Sequence, residues 1–130
     1  MRDNKLLALF FLLVTTMDCA LAADKPAPAP SSALQHNLDI ANKLCLANKF
    51  NDCIAFTTRI LQENEDCAAA YLLRGQSNYR MERFHAAIED FDNYFKRTKG
   101  VGDVGAHRQR GLSYCQFDQL NEALEDFNIC

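Results

Sequence analysis

The sequence predicts an all-α fold, a helical-hairpin solenoid of about three repeats with the last incomplete, and three observations predict it. No proline occurs from Ala33 to Cys130, so roughly a hundred residues lack the strongest helix breaker. Within that stretch the apolar residues Phe84, Ala87, Ile88, Phe91, Tyr94 and Phe95 recur at the spacing of one helix face. The same offsets recover Phe50, Cys53, Ile54, Thr57, Ile60 and Leu61 upstream, and Leu120, Ala123, Leu124, Phe127 and Cys130 downstream, with starts 34 and then 36 residues apart. Direct repetition is also visible: Arg74-Gly75-x-Ser77 returns as Arg110-Gly111-x-Ser113, and Ala87-x-Glu89-Asp90-Phe91 as Ala123-x-Glu125-Asp126-Phe127. A period of this size signals a stacked supersecondary unit.

The elements follow in order. Met1–Lys5 is short and basic, Leu6–Met17 is almost wholly apolar, and Ala20-Leu21-Ala22 supplies small residues for a cut after Ala22, the layout of a secretory signal over residues 1–22. Its apolar run is about a dozen residues, whereas a bilayer-spanning helix needs roughly 20, so no stable membrane span is expected after signal cleavage. Met17 and Asp18 before Cys19 do not suit a lipoprotein signal. The expected destination is exported, either periplasmic or secreted. All three prolines, Pro26, Pro28 and Pro30, fall in a Pro/Ala-rich linker over residues 23–33, which favours extended geometry and buries nothing. Helices are then expected over Leu34–Ala47, Asn51–Glu63, Ala68–Met81, Phe84–Thr98, Val104–Phe117 and from Leu120 onward. They pair into units of about 34–67, 68–103 and 104–130. The two residues that lengthen the second period fall in Lys99–Asp103, where Gly100 and Gly102 permit a longer turn.

Composition excludes several functions. Without residues 1–22 the chain keeps 12 basic and 15 acidic side chains, net −3. These are interleaved rather than clustered, so no nucleic-acid footprint is present. His36, His85 and His107 are dispersed over separate helices, and no cofactor, metal or catalytic constellation emerges. The acidic pairs in Glu63–Asp66 and at Glu89-Asp90 read as solvated helix and turn surface. Five cysteines remain after the signal, Cys45, Cys53, Cys67, Cys115 and Cys130, none in a Cys-x-x-Cys spacing. An odd number in an oxidising compartment leaves one unpaired or bridged to another chain. Cys53 and Cys130 occupy positions where small apolar residues pack, while Cys45, Cys67 and Cys115 are the better disulfide candidates, with the pairing open.

The repeat resembles the tetratricopeptide repeat. Tyr71, Gly75, Ala87 and Phe91 fill the aromatic, glycine, small-residue and aromatic slots of the middle unit; His107, Gly111, Tyr114, Ala123 and Phe127 do so in the third. The first unit is the most diverged, with Ala41, Leu44 and Cys53 in the glycine, tyrosine and alanine slots, and the proline that often ends a repeat is absent. A mid-helix glycine costs about 1 kcal/mol against alanine, and close approach to Ala87 or Ala123, twelve residues on in both units, is the expected compensation.

The resemblance implies a non-catalytic scaffold or adaptor that holds another protein or peptide in a concave groove lined by the first helix of each unit. It implies a groove of Asn42, Leu72, Gln76, Tyr79, Arg80, Arg108, Leu112 and Gln116, with Gln35, Leu38, Cys45 and Cys115 beside them. Arg80 and Arg108 carry its only charges, which favours an acidic ligand or a terminal carboxylate. The branch that clamps chaperone tails uses lysines and asparagines, and here only Asn42 fits, with Leu38 and Gly105 in lysine positions. Because the apolar stripe stops at Cys130, two further expectations arise: this is the N-terminal fragment of a larger exported repeat protein, or its uncapped C-terminal end is covered through self-association or by another partner. A thiol-dependent redox or holdase protein using Cys45, Cys67 or Cys115 is the alternative from another class.

Overall fold

The computed structural model describes residues 31–129; the signal, most of the linker and Cys130 lie outside the described residues. Six helices follow one another: α1 Ser32–Leu46, α2 Phe50–Glu63, α3 Ala68–Arg80, α4 Phe84–Arg97, α5 Val104–Cys115 and α6 Leu120–Ile129. They form three hairpins in an all-α helical-repeat solenoid, with no strand among the described residues. Helix α1 starts two residues before the expected Leu34 because Ser31 caps it. The Ser31 hydroxyl accepts the Leu34 N–H at 3.2 Å, so the last residues of the expected linker are helical. Asp103 caps α5 in the same way, accepting from Ala106 at 3.0 Å.

The turn within each hairpin, of three residues in the first two and four in the third, uses the same device. Asn48, Glu82 and Asp118 hold positive φ of 59°, 59° and 55°, and the next N–H closes back on the helix: Lys49 to Leu44 O at 2.9 Å, Arg83 to Asn78 O at 2.9 Å, Gln119 to Tyr114 O at 3.1 Å. This left-handed closure satisfies carbonyls that a helix end leaves open, and it fixes each hairpin angle without a proline. Between hairpins the second link uses residues 98–103 where the first uses 64–67, which accounts for the change of period from 34 to 36.

Two core clusters run through the stack. Leu38, Ala41, Ile60, Leu61 and Ala70 make the first, and Ala87, Phe91, Tyr94, Phe95 and Ala106 the second, with Tyr71 packing against both. The glycines act through a neighbour other than the alanines expected from sequence. A Cβ at Gly75 would lie 3.0 Å from the Phe91 ring and 3.2 Å from Asp90 Cβ; at Gly111 it would lie 2.7 Å from the Phe127 ring and 3.2 Å from Asp126 Cβ. Sixteen residues, not twelve, separate the contacting pair, because the ring of the second helix, rather than its small residue, lies across the glycine backbone.

Beside each ring sits a buried carboxylate, which corrects the expectation that Glu89-Asp90 is solvated. Asp90 is 4% exposed. Arg74 donates to it from Nε at 3.0 Å and from Nη2 at 2.7 Å, and Asn78 donates at 2.9 Å. Burial pushes the Asp90 carboxyl above its usual range, with Arg74 and Asn78 opposing the shift. In the third hairpin Asp126, 1% exposed, takes Arg110 Nε at 2.8 Å, Arg110 Nη2 at 2.6 Å and the His107 Nδ1–H at 2.9 Å. His107 itself is stacked on Phe95 with ring centroids 3.9 Å apart, the packing role of the aromatic slot it fills. The first hairpin departs from this plan. Ile40, Leu44 and Phe56 stand where the second has Arg74, Asn78 and Asp90, and a disulfide joins Cys45 to Cys53 with Cα atoms 5.7 Å apart. Cys53 is therefore both core filler and disulfide partner, and Cys67 and Cys115 are free thiols.

Two outcomes follow for stability. Gly75→Ala lowers it by about 1–2 kcal/mol, since overpacking against the fully buried Phe91 exceeds the gain in helix propensity. Gly111→Ala costs less, because Phe127 is 37% exposed and has room to swing; urea midpoints of the two variants give the order. Asp90→Ala, which strands the Arg74 guanidinium, costs about 3 kcal/mol. The triple replacement Arg74→Ile, Asn78→Leu, Asp90→Phe copies the first hairpin and lies within about 1 kcal/mol of wild type in the same measurement, since an ion pair exchanged for packed apolar groups is near neutral.

Candidate functional site

The first helices of the hairpins lie side by side, α1 touching α3 and α3 touching α5, as successive units of a solenoid must. On the face they share is a recess of about 320 Å³, lined by Asn42, Cys45 and Leu46 of α1, Asn48 and Phe50 at the turn into α2, Gln76, Ser77 and Arg80 of α3, and Gln109 of α5. It draws on all three hairpins. A second recess, of about 310 Å³, is confined to the first hairpin between α1 and α2, around His36, Ile40, Phe56 and Arg59.

Of the residues expected in a groove, the recess brings together Asn42, Gln76 and Arg80. Leu72 and Tyr79 lie elsewhere, packed against the second core cluster, with Tyr79 edge-on to Phe84 at 6.0 Å. Arg108 and Leu112 are exposed on α5, and Gln116 is exposed just beyond its end, all outside the recess. Leu38 is drawn into the first core cluster with Ala41, Ile60, Leu61 and Ala70. Cys45 does line the recess, held there by its bond to Cys53, and its Sγ lies 3.1 Å from Ser77 Oγ. The pairing reflects symmetry about the turn centred on Asn48–Lys49, which sets residues 45 and 53 opposite each other across the hairpin.

Arg80 is the one charged side chain among the lining residues, and its guanidinium carbon sits 5.5 Å from the Phe50 ring centroid. That contact holds an exposed cation at the mouth of the recess without neutralising it. The other lining polar groups are amides and a hydroxyl. Gln109 was missed from sequence, and the signal was there: it is the counterpart of Leu73, an apolar position packed against the first core cluster. A glutamine at such a position buries its Oε1, which has no hydrogen-bond partner, and an unmet buried acceptor is costly unless something donates to it. Chemically the recess can accept and donate hydrogen bonds through four amides, of Asn42, Asn48, Gln76 and Gln109, and attract an anion through one arginine.

Among the described residues no group of three or more His, Cys, Asp or Glu is placed to hold a metal ion, and no helix is long and apolar enough to cross a membrane. His85 is exposed and rests against Phe117, ring centroids 4.9 Å apart.

No family model matches the sequence, and no curated protein matches it significantly. Among solved structures the chain is similar to the second TPR of Spaghetti (RPAP3) bound to HSP90 peptide SRMEEVD, at TM-score 0.68 and 20% identity over 75% of this chain and 88% of that one. At that identity the likeness speaks for architecture: the hairpins described above are stacked as in a tetratricopeptide-repeat domain.

Proposed function

We propose that the chain is a non-catalytic scaffold or adaptor that binds an extended peptide of another protein in the recess across α1, α3 and α5. The single observation that carries this is the joining of Asn42, Gln76 and Gln109 amides with the lone Arg80 cation in one recess that spans all three hairpins. Peptide backbones have one donor and one acceptor per residue, and an amide side chain can meet both. Arg80, in a chain of net charge −3, selects for an acidic segment or a terminal carboxylate. A similarly folded domain holding the acidic peptide SRMEEVD supports the ligand class. It does not supply the partner's identity, since the lysine positions of such clamps are Leu38 and Gly105 here.

Export belongs to the same proposal. The signal-like residues 1–22 support it, and so does the Cys45–Cys53 disulfide, a bond that persists in oxidising compartments. The mature chain is expected to begin at Ala23. N-terminal sequencing of protein recovered from the culture medium or the periplasm checks this, and an intact Met1 on folded, cytosol-retained protein refutes it.

For the recess the test is fluorescence polarisation with an acidic hexapeptide that ends in a free carboxylate, against its C-terminally amidated form. Arg80→Glu is expected to weaken the acid form by about tenfold or more, while leaving the helical circular dichroism unchanged. Asn42→Ala and Gln109→Leu should each weaken both forms by a smaller factor. Equal binding by wild type and Arg80→Glu sinks the reading.

A further inference from the structure

The first hairpin is held together differently from the other two, and the difference falls at the recess. In the second hairpin the Phe91 ring lies on Gly75, and Arg74 and Asn78 donate to Asp90; the third repeats this with Phe127 on Gly111 and Arg110 on Asp126. In the first, the counterpart of the ring is Thr57, whose hydroxyl turns back on its own helix and donates to Cys53 O at 2.7 Å. Thr58 likewise donates within α2, to Ile54 O at 2.7 Å, and Gln35 within α1, to Asp39 at 3.1 Å. Beyond the turn itself and apolar packing, what joins α1 to α2 among the described residues is the Cys45–Cys53 bond.

That bond lies where its state bears on a ligand. Helix α1 and the turn after it give the recess Asn42, Cys45, Leu46 and Asn48, and α2 gives it Phe50. Phe50 stands three residues before Cys53 and carries the ring on which Arg80 rests. The placing of the α1 amides against the Arg80 cation therefore passes through the disulfide.

Both oxidation states are provided for. As thiols, Cys53 has Ala41 O at 3.4 Å, and Cys45 has Ser77 Oγ at 3.1 Å and Leu73 O at 3.7 Å, so reduction strands no buried donor. Cys53 is 0% exposed, whereas Cys45 is half-buried and lines the recess, which makes Cys45 the sulfur open to exchange. A thiolate of a dithiol reductant attacks Cys45 Sγ; the S–S bond breaks, and Cys53 leaves as a thiolate and takes up a proton. The second thiolate of the reductant then attacks its own sulfur in the mixed disulfide, closing a cyclic disulfide and releasing Cys45, which is protonated in turn. Two electrons and two protons pass to the protein.

We propose that Cys45–Cys53 is a redox latch on the recess: the oxidised bond holds the α1 wall in register for a peptide, and reduction lets that wall slip against Phe50 and Arg80 and weakens binding. The latch rests on the peptide-binding reading above. Linkage makes the effect reciprocal. If reduction weakens the peptide about tenfold, bound peptide opposes reduction about tenfold, which is about 30 mV for a two-electron couple.

The test is fluorescence polarisation with the acidic hexapeptide on the oxidised chain and after dithiothreitol, with thiol alkylation and mass mapping to report the state of Cys45 and Cys53. Reduction is expected to weaken binding about tenfold, with the helical circular dichroism unchanged. Cys53→Ser should bind as reduced wild type does and ignore dithiothreitol, and saturating peptide should shift the dithiol ratio that half-reduces the bond by the same factor. The latch is overturned if reduction leaves the affinity unchanged or raises it, if reduction melts the helices, or if Cys53→Ser still responds to the reductant. An oxidised chain that binds no peptide is a separate result: it sinks the recess reading, and the latch with it.

Discussion

The contact on which the stack depends is that of a helix backbone laid directly on an aromatic ring. Gly75 and Gly111 leave no room for a Cβ against Phe91 and Phe127, so the two helices of a hairpin approach until the ring edge fills the space a side chain would take. Dispersion across such a contact gains only when the gap is closed, and it is closed here at the cost of a mid-helix glycine. Asp90 and Asp126 face the same glycine backbone, their Cβ atoms 3.2 Å from where a Cβ at Gly75 or Gly111 would lie, and Arg74 and Arg110 meet them from across the hairpin. An ion pair in this setting adds little stability, since desolvation offsets attraction, but it fixes the lateral register of the two helices, because the arginine fork accepts one position of the carboxylate.

The first hairpin is built without either device. Ala41 stands for the glycine, and Ile40 and Phe56 for the ion pair, so register has to come from elsewhere. A disulfide between Cys45 and Cys53 supplies it covalently, across a short loop whose closure restricts the unfolded chain. Because Cys45 also lines the recess, the bond that secures the first hairpin also fixes one wall of the proposed binding site.

Much of this was legible in the sequence. The missing prolines, the apolar stripe and the offsets of 34 and 36 locate all six helices to within two residues, because period and punctuation are local properties. What was not legible depends on which of two near neighbours on a helix face meets the partner. The glycines pointed to alanines twelve residues on, yet the rings sixteen residues on make the contact; both spacings repeat equally well. Asp90 looked solvated because it follows Glu89, but adjacent helix positions differ by about 100°, enough to put one in water and one in the core. For the recess, repeat equivalence identified Asn42, Gln76 and Arg80, and it failed at Gln109 because a position that is core in one unit opens onto the groove in the next.

That last failure bears on how the recess would select the proposed ligand. Most of the arginine charge near the first helices is committed internally: Arg74 and Arg110 to buried carboxylates, and Arg97 to the Glu65 carbonyl and the Tyr71 ring. With those cations spent on register, the recess is left with Arg80 and a set of amides. Specificity there must arise from backbone hydrogen bonding and a single anionic contact rather than from a dense field of charge, and it must be read by geometry. Rigid walls are what such reading needs, and the disulfide on one side and the Arg74–Asp90–Asn78 network beneath α3 on the other provide them. The internal ion pairs and the weakly charged groove are in this sense one arrangement, with the charge that orders the hairpins kept out of the surface proposed to meet a partner.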